Sequence, residues 1–134
     1  MTAPPDVRVR EASVPELPDV SNVLDGGGLE TDAGRLRGAL DAGDVLVAVA
    51  GADGGGDGRE RVLGALVLEG EEVVAVAVRR RRRDRGIGTA LVEAAARRRD
   101  RLVAAFDARV RPFWEALGFR TEPADRPDRY RGVR

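Results

Sequence analysis

The ten residues Arg79 to Gly88, RRRRRDRGIG, place six guanidinium groups and two glycines between an apolar run ending at Val78 and a helix-like run beginning near Thr89. A strand, a basic glycine turn and a helix form a cradle for an anion. The first N–H groups of a helix have no intrahelical partner, and the helix dipole adds partial positive charge at that end. Glycines there let a phosphate approach the backbone.

The residues that are missing narrow the chemistry further. There is no His and no Cys, and all 23 basic residues are Arg. Imidazole bases, thiol nucleophiles and lysine Schiff bases are therefore excluded. Metal sites built on soft or imidazole ligands go with them, and no metal site is expected. Asp, Glu and a single tyrosine, Tyr130, are left for proton transfer; the only serines are Ser13 and Ser21.

Net charge is zero but unevenly spread. Residues 1–78 hold 6 Arg against 15 acidic residues, and residues 79–134 hold 17 Arg against 8. The basic half suits an anionic ligand, and the acidic half favours a cationic one. A chain of 134 residues fits one domain, taken as 1–134. No apolar run is long enough to span a membrane, and the start, MTAPPDVRVREAS, lacks the pattern of a signal peptide. These features point to a soluble, cytoplasmic protein without disulfides, either a monomer or a homodimer.

The elements that must hold the cradle follow from periodicity. Val7 to Glu11 alternates as a short strand, and Ser13-Val14-Pro15-Glu16 has capping-box spacing, with Leu17, Val20 and Leu24 continuing one helical face. Gly26 to Gly28 stops that helix; a second begins after Thr31 or Asp32 and ends at Gly43. Asp44 to Ala50, Arg61 to Leu68 and Glu71 to Val78 read as three strands in an antiparallel meander. Their near-continuous apolarity calls for helices on both sheet faces. The loop Asp53 to Gly58 has the glycines of a calcium loop but puts Gly55 and Gly64 where ligands are needed, so it reads as a hairpin tip. Ile87, Leu91, Ala94 and Ala95 mark a helix, and Leu102 to Phe106 a strand, which completes a right-handed βαβ unit with parallel strands. Arg109 to Leu117 reads as the last helix, Phe119 to Glu122 as a short strand, and the remainder as a polar tail.

Three motif readings compete for the turn. A Walker A loop needs a lysine, which is absent. A dinucleotide fingerprint fails at its third glycine, where Leu91 stands, and wants a tighter turn. The third is a family: Arg83, Gly86 and Gly88 match R/Q-x-x-G-x-G/A, and Phe113 to Phe119, FWEALGF, is similar to an FYxxLGF segment downstream. Together these resemble the Gcn5-related N-acetyltransferases, and the resemblance covers nearly the whole chain.

That resemblance implies an α/β fold: a single domain with a mixed, mostly antiparallel sheet and helices on both faces. It implies acetyl-CoA as co-substrate and a primary amine on a small molecule or peptide as acceptor, with direct attack in a ternary complex. The pyrophosphate would lie against Arg83, Asp84, Arg85, Gly86, Ile87, Gly88, Thr89 and Ala90, and the pantetheine arm beside Val76, Ala77 and Val78. Trp114 stands where the family often has a tyrosine acid; an indole N–H cannot serve as that acid, and Trp114 reads as a core aromatic packing under the coenzyme arm. The acid is then Tyr130 or a water, or the thiolate leaves unaided. Glu72 stands where some relatives place a base acting through water, or it is a solvated strand-end charge beside Glu69 and Glu71. Asp107 either contacts the coenzyme or caps the last helix. The arginine run serves coenzyme phosphates, is merely solvated, or meets an acidic or nucleic-acid partner; the lack of an aromatic stacking platform argues against nucleic acid. A coenzyme-binding regulatory protein with weak catalysis is the alternative function.

Overall fold

The computed structural model describes residues 6–26, 32–51 and 60–134. The hairpin tip 53–58, the glycine stop after Gly26 and the helix start at Thr31 expected from sequence lie wholly or partly outside the described residues.

Strand β1 (Arg8–Glu11) leads into one 3-10 turn, Val14–Glu16, and helix α1 (Leu17–Gly26). The Glu16 carboxylate accepts the Ser13 backbone N–H at 2.9 Å, as the Ser-x-x-Glu spacing requires. Helix α2 (Ala33–Asp41) is capped by Asp32, whose Oδ1 accepts the Arg35 N–H at 3.0 Å. Strands β2 (Val45–Ala50), β3 (Arg61–Glu69) and β4 (Glu72–Val78) form the expected antiparallel meander. Helix α3 (Ile87–Arg98) then crosses to β5 (Val103–Asp107), which pairs parallel to β4. Helix α4 (Arg111–Ala116) precedes β6 (Arg120–Pro123) and β7 (Arg129–Val133).

The seven strands form one sheet in the order β1-β2-β3-β4-β5-β7-β6. The tail is thus not the loose polar segment expected from sequence. It returns as β7 and inserts between β5 and β6, pairing antiparallel with both. Its sequence RYRGV hides the strand because its inward positions are Tyr130 and Gly132 rather than aliphatic residues. Gly132 has a steric reason: a Cβ there would meet the Phe106 ring at 3.1 Å and Phe119 at 3.3 Å.

Two apolar clusters sandwich the sheet. One, under α1 and α2, gathers Val20, Val23, Leu24, Leu36 and Leu40 on Val45, Val47, Val67, Ala75 and Ala77. The other, under α3 and α4, gathers Leu46, Leu66, Val73, Ile87, Leu91, Phe106, Trp114 and Phe119. Each fully buried Leu or Val contributes on the order of 1.5–3 kcal/mol of transfer free energy, so both layers are needed to hold a sheet this size. No helix among the described residues is long and apolar enough to cross a membrane.

Candidate functional site

The cradle is built by a turn whose backbone enters the left-handed region twice. After Val78 the chain forms a 3-10 turn at Arg80–Arg82, then passes through Asp84 at φ 62° and Gly86 at φ 80° before α3 begins. Asp tolerates the left-handed region better than most residues, and glycine adopts it without penalty. Gly86 is the N-cap of α3 and has no side chain to cap it; Ala90 is bonded back to the Gly86 carbonyl at 3.0 Å. The amides of Ile87, Gly88 and Thr89 therefore open toward the turn with no intrahelical acceptor. This arrangement suits an anion.

The arginines around it divide into two groups. Arg79 Nε donates to the Val62 carbonyl at 2.7 Å and Arg83 Nε to the Val78 carbonyl at 3.1 Å, which ties both ends of the turn to the sheet. Arg80, Arg81, Arg82 and Arg85 make no ion pair or side-chain hydrogen bond among the described residues. Arg80, Arg81 and Arg85 are exposed and Arg82 is half-buried.

Strand β4 feeds this turn and has an irregularity of its own. Its register with β3 steps between Val67↔Ala75 and Leu68↔Val73, leaving Val74 as an extra residue. Such a bulge shifts the strand's parity. Val73 faces the α3–α4 layer, Ala75 and Ala77 face the α1–α2 layer, and Val76 and Val78 return to the α3–α4 layer. The Arg79 N–H donates to the Leu63 carbonyl at 2.8 Å, so by alternation the main-chain groups of Val78 and Val76 point away from β3. They point toward β5, which is no longer there to pair. Parallel pairing of β4 with β5 stops after Glu72↔Val103 and Val73↔Ala104, although β4 runs on to Val78 and β5 to Asp107. The two strands splay beside the turn, and Val76 offers an N–H and a C=O to the gap.

Phe113 rather than Trp114 reaches the cradle. A Cβ placed on Gly88 would lie 3.5 Å from the Phe113 ring and 3.9 Å from Val78 Cγ2. Trp114 is 4% exposed, stacked on Phe106 with centroids 5.5 Å apart and set edge-on to Phe113 and Phe119 at 5.2 and 5.0 Å. It is the centre of the α4 aromatic core. Sequence reasoning passed over Phe113 because the two neighbours look alike in a short helix, although only their rotation about the helix axis separates core from site.

Glu72 and Tyr130 lie on opposite faces of the sheet. Glu72 is exposed, opposite Glu69 on β3, and on the side of α1 and α2, where the Glu69 hydrogen bond chiefly, and the Glu72 charge to a lesser extent, raise the Arg35 pKa. Arg35 and Glu69 form an ion pair there, and the hydrogen bond from Arg35 is the main reason the Glu69 carboxyl titrates below its usual range. Tyr130 is half-buried on the α3–α4 face, beyond β5 from the splay. Its hydroxyl accepts a hydrogen bond from Arg111 Nη1 at 3.3 Å, and the Arg111 guanidinium lies 4.6 Å from its ring centroid. Asp107 caps the turn into α4: its Oδ1 accepts the Arg109 N–H at 2.9 Å, which lowers its pKa. The capping alternative is the one the geometry supports.

A cradle of glycine-turn amides at a helix start, beside two parallel strands that splay, is an α/β site suited to an anion attached to an extended arm. Residues 41–121 match the model of the acetyltransferase (GNAT) domain, and the chain belongs to that family. Among solved structures it is similar to a GCN5-related N-acetyltransferase from Kribbella flavida at 20% identity and a TM-score of 0.68, covering 87% of this chain but 33% of that one. The chain thus spans about a third of that protein's length. It is also similar to Rv2747 from Mycobacterium tuberculosis, solved in complex with CoA and NLQ (24% identity, TM-score 0.68, 87% and 74% covered). Arabidopsis thaliana NAA60, solved in complex with acetyl-CoA, superposes with a TM-score of 0.75 at 13% identity over 96% of this chain and 97% of that one. No curated protein sequence matches the chain.

Proposed function

We propose that the chain transfers an acetyl group from acetyl-CoA to a primary amine by direct attack in a ternary complex. The observation that carries this reading is the early end of β4–β5 pairing next to the uncapped amides of α3. A pyrophosphate on the amides of residues 86–90, with Arg83 and Arg85 around it, would send a pantetheine arm along Val76, Ala77 and Val78. The free main-chain groups of Val76 would bind that arm as a strand edge binds a peptide, and Phe113 would line its path above the buried Trp114. Two relatives of the same fold are solved with CoA or acetyl-CoA, which supports that co-substrate.

Catalysis in this reading rests on proximity and on a backbone N–H of the Val74 to Val78 strand polarising the thioester carbonyl. Glu72, on the face opposite the α3–α4 layer, would take the amine proton through a water. Tyr130 is the only phenol available as an acid, but its hydroxyl is engaged by Arg111 on the far side of β5. The position supports departure of the thiolate without an acid, so Tyr130→Phe is expected to lower kcat by less than about tenfold, below the roughly 10²–10⁴-fold that a general acid contributes. A larger fall would assign the acid role to Tyr130.

Calorimetric titration with coenzyme A, followed by thiol release with a panel of amines, tests the proposal. The rate should rise with pH as the acceptor amine deprotonates, across roughly pH 7 to 9 for an α-amine. A pH-independent rate over that window counts against direct attack by the neutral amine. Coenzyme binding without turnover on any acceptor would favour the regulatory alternative.

A further inference from the structure

We infer that the acceptor is a peptide whose amine is followed, two or three residues on, by carboxylates, and that Arg129 and Arg131 recognise them. This rests on the acetyl-transfer reading and deepens it. Helices α1 and α2 cover β2, β3 and β4 on their face, and among the described residues nothing covers that face of β5, β7 and β6. The register fixes what the open face carries. Ala104 and Phe106 turn to the α3–α4 core, so Val103, Ala105 and Asp107 of β5 lie on the open side, opposite Val133, Arg131 and Arg129 of β7. Arg131 is in turn opposite Glu122 of β6, and Val133 opposite Arg120.

The face therefore carries charged groups on either side of a short apolar strip, Val103, Ala105 and Val133. Glu69 and Glu72 stand on its β3–β4 side, and Arg129, Arg131 and Arg120 on its β7–β6 side, with the splay between them. None of these three arginines forms an ion pair among the described residues. Asp107 is already committed to Arg109. Glu122 is the one carboxylate left beside Arg131, and it forms no ion pair with it.

An amine reacting in the splay lies across β5 from β7, about two strand spacings or roughly 9–10 Å from the β7 backbone, and an extended peptide advances about 3.3 Å per residue. Carboxylates on the second and third residues then fall within reach of the Arg131 and Arg129 side chains. A peptide fits better than a small molecule because the face is an open platform, whereas small ligands bind in enclosed pockets. Nucleic acid fits poorly: Phe106, Trp114 and Tyr130 all point to the opposite face, so no aromatic surface is available for stacking.

The test uses three peptides with the same first residue, followed by Asp-Asp, Asn-Asn or Arg-Arg. Binding to the coenzyme A complex is measured by fluorescence anisotropy, and acetyl transfer is measured separately. The Asp-Asp peptide should bind tightest. Arg131→Gln should weaken it about three- to fivefold, the scale of one exposed charge pair, and Glu122→Gln should strengthen it, with melting temperatures unchanged. Equal binding of the three peptides, preference for Arg-Arg, or no effect of either substitution would overturn the inference. If the binding pattern holds without acetyl transfer, the catalytic reading fails and only recognition of the acidic peptide by Arg129 and Arg131 stands; transfer without the preference overturns this inference and leaves the catalytic reading.

Discussion

The arginines of the turn and those of the β1 corner are the same residue put to opposite uses. At the corner, Arg10 bonds the Glu16 carboxylate through both terminal nitrogens at 2.8 and 2.7 Å and reaches Glu60 at 3.0 Å, while Arg8 pairs with Glu60 as well. These charges are spent on tying β1 to the first helical turn and to the start of β3. In the turn, Arg80, Arg81, Arg82 and Arg85 have no such partners among the described residues, and the backbone beneath them is held by glycine and by main-chain bonds instead. A guanidinium with two carboxylates contributes to folding, whereas one left in water keeps its charge for a ligand. The difference separates paired from unpaired guanidinium groups inside one arginine-rich chain.

The strongest test of that separation is Gly86→Val. The φ of 80° there costs a branched side chain about 1–2 kcal/mol, and the displaced amides should weaken coenzyme A binding by about a hundredfold or more in calorimetry. Gly88→Ala is subtler. Its Cβ meets the protein only at ordinary contact distances, so the melting temperature should hold or rise, since alanine favours a helix by up to ~1 kcal/mol. Coenzyme binding should still fall about tenfold, the ~1.4 kcal/mol of a poorly placed methyl between Phe113 and Val78. Unchanged binding would remove Phe113 from the coenzyme's path.

The corner should respond in the opposite sense. Arg10→Ala is expected to cost about 1–2 kcal/mol of stability by denaturant titration, with coenzyme affinity unaffected. Its pH signature has a definite sign. Hydrogen bonds from Arg10 hold the Glu16 pKa down at about 2, against a desolvation that pushes it up. A carboxyl depressed in the folded state contributes stability that is present above its unfolded pKa and is lost as pH falls toward the folded value. Acid unfolding between roughly pH 4.5 and 2 should therefore flatten in Glu16→Gln. The smallest effect belongs to Arg80→Ala: coenzyme binding about two- to fivefold weaker at low salt, the difference vanishing near 1 M, with no change in stability. If Arg80→Ala proved more damaging than Gly88→Ala, the cradle would be electrostatic rather than built from backbone amides.

Much of the molecule was legible because it is local. The meander, the βαβ crossover, the Asp32 cap and the Ser13-Glu16 pairing all follow from spacings of a few residues and appear where those spacings put them. The glycines of the turn were legible for the same reason, since a left-handed φ at Gly86 is a property of one residue. Asp107 divided into two readings that only its hydrogen bonds could separate.

The sequence by itself determined the class of chemistry: an anion cradle on a chain without His, Cys or Lys, attached to a strand and opening a helix. Only the tertiary structure decided what surrounds it. The bulge at Val74 chooses which main-chain groups face the splay; the insertion of β7 between β5 and β6 places Tyr130 behind β5 and Arg131 beside it. The rotation of α4 sends Trp114 to the core and Phe113 to the cradle. These are properties of register and packing between segments distant in sequence. A one-residue shift reverses every side chain of a strand, and no local pattern in RYRGV or FWEALGF records it.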